Sequence, residues 1–398
     1  MIRLASVIDA FEKDFRAQYS DRLNVGHMQA LAAIKRCRTG ASAKMQVQCS
    51  GCEQQMLVPH SCGHRHCPHC QHHESQQWLE RQLQKQVPAG YFLITFTLPA
   101  QFRPLAFAHQ TLVYDLLMRC SWDTVRIFSG NDKQLQGTPG ATAVLHTHSR
   151  RLEFHPHVHL LMPAAAIDAT RKLWRTKCGA AQSGGHSAKH GTKESAKANK
   201  PYLFNHKALA KVFRAKMLAG VAAAGLTLPV CYPQQWVVDC KSVGSGAKAL
   251  IYLGRYLYRG VIRENDIMSC ANDAVTFRYR DAKTGTLMRR TVPGAQFLWL
   301  VLQHVLPKGF RRARNFGFLH PNCKRLIALL HLLLKFDPAL TLAWIKPRAP
   351  FLCSCCGAVM TIVKTRIRAV LAGAVLAGAV PGTAPVPSPM PPSSAGAR

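Results

Sequence analysis

The chain has 398 residues, enough for two or more domains with a sizeable core. Lysine and arginine number 52 against 19 acidic residues, a formal net charge of +33, which predicts a polyanionic partner, either nucleic acid or an anionic membrane. The opening MIRLASVIDAFEKDF lacks a basic start followed by an apolar core, and no apolar run is long enough to span a bilayer. A secretory signal and a membrane span are therefore not expected, and nucleic acid is the expected partner.

Spaced apolar positions with few breakers predict helices within 1–40. Residues 45–73 form a Cys/His-rich segment, and ESQQWLERQLQKQ (74–86) has a helical pattern. GYFLITFTLP (90–99) is aromatic and β-branched and predicts a strand closed by Pro99. A helix is expected over 104–129. Two strands, GATAVLHTHSR (140–150) and RLEFHPHVHLLMP (151–163), are expected to meet in a tight polar turn. Residues 176–200 are rich in Gly, Ser, Ala and Lys and read as a flexible basic insert. NHKALAKVFRAKMLAGV predicts a basic amphipathic helix. Ser245 is a candidate cap for the next helix, which would run to Gly260. Two alternating segments around Lys283-Thr284-Gly285 predict a hairpin, and GAQFLWLVLQHVLP an apolar helix. From residue 369 the chain is low-complexity and Pro-rich, and a disordered tail is expected.

The 15 cysteines cluster instead of spreading, which reads as metal binding in a reducing compartment and not as disulfides. Cys49 and Cys52 form one CxxC pair and Cys67 and Cys70 another, separated from it by 14 residues. Two such pairs can offer four thiolates to one structural Zn²⁺. Cys37, Cys62 and several histidines lie close in sequence, so a second metal, or an exchange such as Cys62 for Cys67, stays open. Zinc-deaminase chemistry is excluded, because Pro68 follows Cys67 instead of preceding it. A later group, Cys353, Cys355 and Cys356, lacks a clear partner pair; Cys323 or His320 could complete it, or these are simply reduced surface thiols.

In FHPHVHLLMP (154–163) three histidines fall at alternate positions. On a strand His155, His157 and His159 share one face. A strand-borne His-x-His is a good start for a divalent ion, with a third ligand to come from elsewhere: His155, or His146 or His148 on the preceding strand. A lone His on a strand is usually structural, but a row of three is harder to read that way. In YLGRYLYR (252–259), Tyr252 and Tyr256 are four apart and share a helix face, flanked by Arg255 and Arg259, which are also four apart. Taken alone, such a helix packs its aromatics and solvates its arginines. Adjacent guanidinium groups and a phosphate-bound metal would favour a phenolate nucleophile.

These motifs run in order: the two CxxC pairs, FTLP, HTHSRRLEFHPHVHLLMP, YLFNHKALAKVFRAKML, YLGRYLYR and HVLPKGF. Over about residues 27–318 the chain resembles the rolling-circle insertion-sequence transposases of the IS91-like group, HUH endonucleases with an N-terminal zinc-binding domain. The resemblance implies an α+β fold. A helical and zinc-binding DNA-binding domain would span 1–88. An HUH (RRM-like) antiparallel sheet with flanking helices would span 89–300 and carry the insert 176–200. A helical C-terminal region with its CxxC would span 301–368, ahead of the tail 369–398.

The resemblance further implies that His157 and His159 hold Mg²⁺ or Mn²⁺ against a scissile phosphate of single-stranded DNA. Tyr252 and Tyr256 match the catalytic tyrosines, and Arg255 and Arg259 would contact DNA. A tyrosine would attack, leaving a 5′-phosphotyrosine and a free 3′-OH. The partners would be single-stranded element ends and target, with the protein in the bacterial cytoplasm and on the nucleoid when bound. Two other readings remain. A non-catalytic zinc-ribbon DNA-binding protein would use the tyrosines only for packing. A cupin-like metalloenzyme would need a carboxylate soon after the His-x-His, and residues 160–167 contain none.

Overall fold

A computed structural model describes residues 1–177, 203–282, 284–342 and 350–367. The expected flexible insert beyond Lys177, Lys283 of the predicted turn and the expected disordered tail lie outside the described residues. The architecture is mixed α+β, with antiparallel sheets.

The central sheet is built from β3 (Tyr91–Thr97), β4 (Thr138–His148), β5 (Phe154–Pro163), β6 (Ala165–Asp168), β7 (Leu173–Thr176), β8 (Val238–Ser242) and β12 (Ala313–Gly317). Its order is β7-β6-β4-β5-β3-β8, and β12 also pairs with β4. Strand alternation gives its two faces different tasks. On one face Phe92, Ile94, Phe96, Leu145, Val158 and Leu160 pack under α5 (Gln110–Asn131) and α6 (His206–Ala223). On the other, Val144 and Leu161 pack with α3 (His72–Leu83) and α7 (Ala247–Tyr258). The apolar run Leu160-Leu161-Met162 is therefore buried on both faces, whereas the histidine half of β5 is covered on only one.

The helix expected over 104–129 is broken at His109, whose ψ of 50° leaves the helical region; α4 (Arg103–Ala108) and α5 result. The turn between β4 and β5 is held by Ser149, whose Oγ accepts from the N–H groups of Arg151 and Glu153, both at 3.2 Å.

A second core joins distant segments. Helix α1 (Leu4–Gln18) buries Leu4, Val7, Ile8, Phe11 and Phe15 at helical spacing. Together with α2 (Val25–Arg36) it packs on α8 (Gly294–Leu302) and on the sheet β9 (Ile267–Ala271), β10 (Ala274–Arg280) and β11 (Leu287–Pro293). β10 and β11 are antiparallel, so the predicted hairpin forms. Asn24 caps α2 reciprocally with His27, at 3.1 and 3.2 Å.

The third sheet links an early hairpin to the last described strand. β1 (Lys44–Cys49) pairs with β2 (Gln55–Pro59) on one side and with β13 (Met360–Ile367) on the other, in the order β13-β1-β2. The register runs from Lys44 opposite Ile367 to Cys49 opposite Met360.

Candidate active site and cysteine clusters

β4 and β5 pair so that His146 lies opposite His157 and Val144 opposite His159. His146, His157 and His159 consequently share the α7 face. Each brings one ring nitrogen to within 4.8 Å of the others. The Nδ1 of His157 is 2.7 Å from the carbonyl of His155 and donates to it, which leaves the Nε2 lone pair facing outward. Nδ1 of His159 is 3.0 Å from Oγ1 of Thr95. Nε2 of His146 is buried and has no hydrogen-bond partner. Burial, helped by neighbouring cations and imidazoles, pushes His157 down to about 3 and His159 to about 4, and holds His146 well below its usual value. Three neutral imidazoles with converging lone pairs, one of them an orphan, fit a divalent ion.

The other two candidate histidines stay outside this group. Nδ1 of His155 is 2.8 Å from Nη2 of Arg103 and is occupied by it. His148 lies past a register shift in the β4–β5 pairing, with its Nδ1 3.1 Å from the Ser149 carbonyl.

Helix α7 crosses this face. It starts at Gly246, not at a Ser245 cap; Gly246 has a φ of 80° and no side-chain cap bond forms. A glycine wins here because a Cβ would lie 2.6 Å from Cγ of Tyr91. Leu250, Leu253 and Leu257 face the core, and this turns Tyr252 and Tyr256 toward the histidines. The Tyr252 ring centroid is 6.1 Å from that of His146 and 6.2 Å from that of His159. Burial raises the Tyr252 phenol above its ordinary value, with Arg150 opposing.

Tyr256 is held differently. Its ring stacks on His146, and its oxygen accepts the N–H groups of Thr147 at 3.0 Å and His148 at 3.5 Å. The guanidinium of Arg312 lies 4.6 Å from its centroid. Beside the two tyrosines opens a cleft of about 420 Å³ lined by Arg150, Arg255, Arg259, Arg280 and Tyr279. Arg263 and Arg278 also line it, but both hold Asp266, at 2.6 and 2.8 Å.

The structure separates the four cysteines expected to share one zinc. Cys67 and Cys70 join Cys37 and Cys62; Cys49 and Cys52 join Cys353 and Cys356. The CxxC spacing correctly pairs neighbouring thiols, but their partners are set by chain contacts far away in sequence. Neither Cys323 nor His320 completes the late CxxC. The first cluster braces α7. Pro68 and the His66 carbonyl press on Gly260 just beyond α7, where an added Cβ would lie 3.3 Å from the Pro68 backbone. Arg65 donates to the Phe310 carbonyl at 3.1 Å, and His69 meets Glu264 at 3.1 Å.

Comparison with known proteins matches residues 7–98 to the family described as "Transposase zinc-binding domain" and residues 140–326 to the family described as "Putative transposase". The chain belongs to the IS91-like transposases. It is 29% identical over 340 residues to "Putative transposase y4qJ" of Sinorhizobium fredii, covering 79% of this chain and 80% of that protein. It is also similar to "Transposase for insertion sequence element IS801" of Pseudomonas savastanoi pv. phaseolicola, at 28% identity over 287 residues, covering 67% of this chain and 63% of that protein. In this IS91-like chain the cluster Cys37, Cys62, Cys67 and Cys70 lies within the zinc-binding match. The histidine triad and both tyrosines lie within the other. No helix among the described residues is long and apolar enough to cross a membrane.

Arg312 is the member of the site that sequence reasoning did not single out. It donates to the Leu145 carbonyl at 3.1 Å and covers Tyr256, yet in sequence it is one cation of an arginine-rich run. Only its position two residues after HVLPKGF could have marked it.

Proposed function

We propose that this transposase nicks and rejoins single-stranded DNA through a tyrosine that becomes covalently linked to the 5′ side of the break. The observation that carries this reading is the half-exposed Tyr252, 50% accessible, standing over the His146–His157–His159 group and beside an arginine-lined cleft. Its oxygen attacks phosphorus, the bond to the 3′-oxygen breaks, and the products are a 5′-phosphotyrosine and a free 3′-OH. A divalent ion of the Mg²⁺ or Mn²⁺ class, when bound by the three histidines, polarises the phosphoryl oxygen and stabilises the leaving 3′-oxygen.

The protein's own groups do the rest. Arg255 and Arg259 approach from exposed positions on the tyrosine helix and draw phosphates into the cleft. Tyr279 offers a ring on which an unpaired base can stack. The energy of the broken phosphodiester is kept in the phosphotyrosine, so rejoining to a new 3′-OH needs no nucleotide cofactor. The zinc-binding region anchors the protein on its element ends, and the site of action is the bacterial nucleoid.

The test is to incubate the protein with single-stranded oligonucleotides of element ends and Mg²⁺ and resolve the mixture on a denaturing gel. A covalent protein–DNA band that vanishes in the Tyr252→Phe, Tyr256→Phe double variant is expected. An unchanged DNA affinity with no adduct from the wild type would instead mark a zinc-ribbon binding protein in which the tyrosines only pack.

A further inference from the structure

Cys353 and Cys356 lie beyond both family matches, the later of which ends at residue 326. Their surroundings repeat those of Cys49 and Cys52. In each CxxC the first cysteine donates its N–H to the carbonyl five residues on: Cys49 to Gln54 at 2.9 Å and Cys353 to Ala358 at 2.8 Å. In each the residue after the second cysteine is left-handed, Glu53 with φ 58° and Gly357 with φ 72°. Backbone N–H groups point at sulfur in both turns. Gly51 and Cys52 approach Sγ of Cys49 at 3.3 and 3.4 Å, and Cys355 approaches Sγ of Cys353 at 3.4 Å. Such donors offset negative charge on a thiolate and would be misplaced beside an inert thiol.

The two turns face each other. Sγ of Cys49 is 3.3 Å from that of Cys356, and Sγ of Cys52 is 3.7 Å from that of Cys353. A tetrahedron with metal–sulfur bonds of ~2.3 Å has edges of about 3.8 Å, close to these separations. The sheet that carries the turns has very little else to hold it. Its buried apolar cluster is Val47, Cys49, Cys353 and Met360, while most of β2 and β13 is exposed. Three short strands with so small a core need a staple.

We propose that Cys49, Cys52, Cys353 and Cys356 bind a second zinc ion, structural in role, which fastens the C-terminal strand β13 to the N-terminal hairpin β1–β2. Four thiolates select a soft or borderline ion over Mg²⁺, and they leave no open position for catalysis.

Elemental analysis and native mass spectrometry of the full-length protein test this. Two zinc ions per chain are expected. The Cys353→Ser, Cys356→Ser double variant should keep one, as should Cys62→Ser in the other cluster. Cys355→Ser, which changes a thiol outside both clusters, should keep two. A wild type with one zinc, a double variant with two, or iron in the second position overturns the proposal. A footprint on unmutated protein covers the case in which the double variant fails to fold. Iodoacetamide should modify Cys355 while sparing Cys356 until a chelator is added, although both are exposed in the fold. Equal labelling of the two without chelator overturns the proposal as well.

Discussion

The ring of Tyr256 lies on the imidazole of His146, with centroids 3.3 Å apart and planes at 7°. The phenol oxygen is tied to backbone N–H groups, and Arg312 covers the ring. Tyr252, one turn earlier, has no such restraint and is half exposed. The two tyrosines therefore differ in readiness. Tyr252→Phe should abolish the first covalent adduct. Tyr256→Phe should keep that adduct, block transfer of the cut strand to a second DNA, and cost about 1 kcal/mol of stability through the lost hydrogen bonds. The hypothesis is checked on denaturing gels with labelled donor and target strands. Loss of the first adduct in the Tyr256 variant alone would reverse the order.

His146→Ala, His157→Ala and His159→Ala should each reduce nicking by a factor on the order of 100 or more, with DNA binding spared, because each removes one of three converging nitrogens. His155→Ala should cost less than roughly 10-fold, since its ring is held by Arg103 outside the group. Single-turnover nicking across a Mn²⁺ titration separates the two cases. A His155 variant as inactive as the His146 variant would move the ligand set.

Gly246→Ala should destabilise the protein by about 2 kcal/mol or more, because it places a Cβ at φ 80° and against Tyr91. It should also slow nicking, as it tilts the helix that carries Tyr252. Ser245→Ala should fall within about 0.5 kcal/mol of wild type. Chemical denaturation measures both; a larger loss at Ser245 would restore it as the cap.

His304 is fully enclosed and its Nε2 bonds the Leu152 carbonyl at 3.0 Å; burial pushes it down to about 4. The unfolded state, with an ordinary value near 6.5, binds the proton more readily. Stability is thus present above about pH 6.5 and is lost as pH falls toward 4. Between pH 8 and pH 5 His304 should account for a loss of about 2 kcal/mol. The difference in unfolding free energy between those two pH values should shrink by that amount in His304→Gln, and an unchanged difference would sink the assignment.

With a net charge of +33, DNA affinity should fall by a factor on the order of 10³ or more between 50 and 200 mM salt. Arg255→Ala with Arg259→Ala should flatten that slope in filter-binding titrations. An identical slope would place the phosphate path elsewhere.

The parts of the site that were legible in the sequence are those set by local periodicity. Alternation put His157 and His159 on one face, and the four-residue step put Tyr252 and Tyr256 on one side of a helix. The third histidine was narrowed to a few positions but not fixed, because the β-bulge separating His146 from His148 is a property of strand pairing. The cysteines misled for the same physical reason. A CxxC shows which two thiols turn together, whereas Cys49 finds Cys356, 307 residues further on, only through the pairing of β1 with β13. The cap of α7 was missed by one residue, because the decisive neighbour, Tyr91, belongs to another strand. The two-sided burial of Leu160-Leu161-Met162 was visible as an apolar run, but the helices that cover it were not.

The pairing of β1 with β13 also sets a clock. At roughly 5–20 residues per second, a ribosome releases β13 about 15–60 s after β1. Through that interval β1 has a bare edge, and Cys49 and Cys52 make up only half of their cluster. A nascent chain thus finishes its N-terminal β1–β2 hairpin last, although that hairpin is made first. Stalled chains ending before Cys353 should show Cys49 and Cys52 open to a thiol reagent that spares them in the released protein; equal protection in both would mean that the N-terminal hairpin closes without waiting for its distant strand.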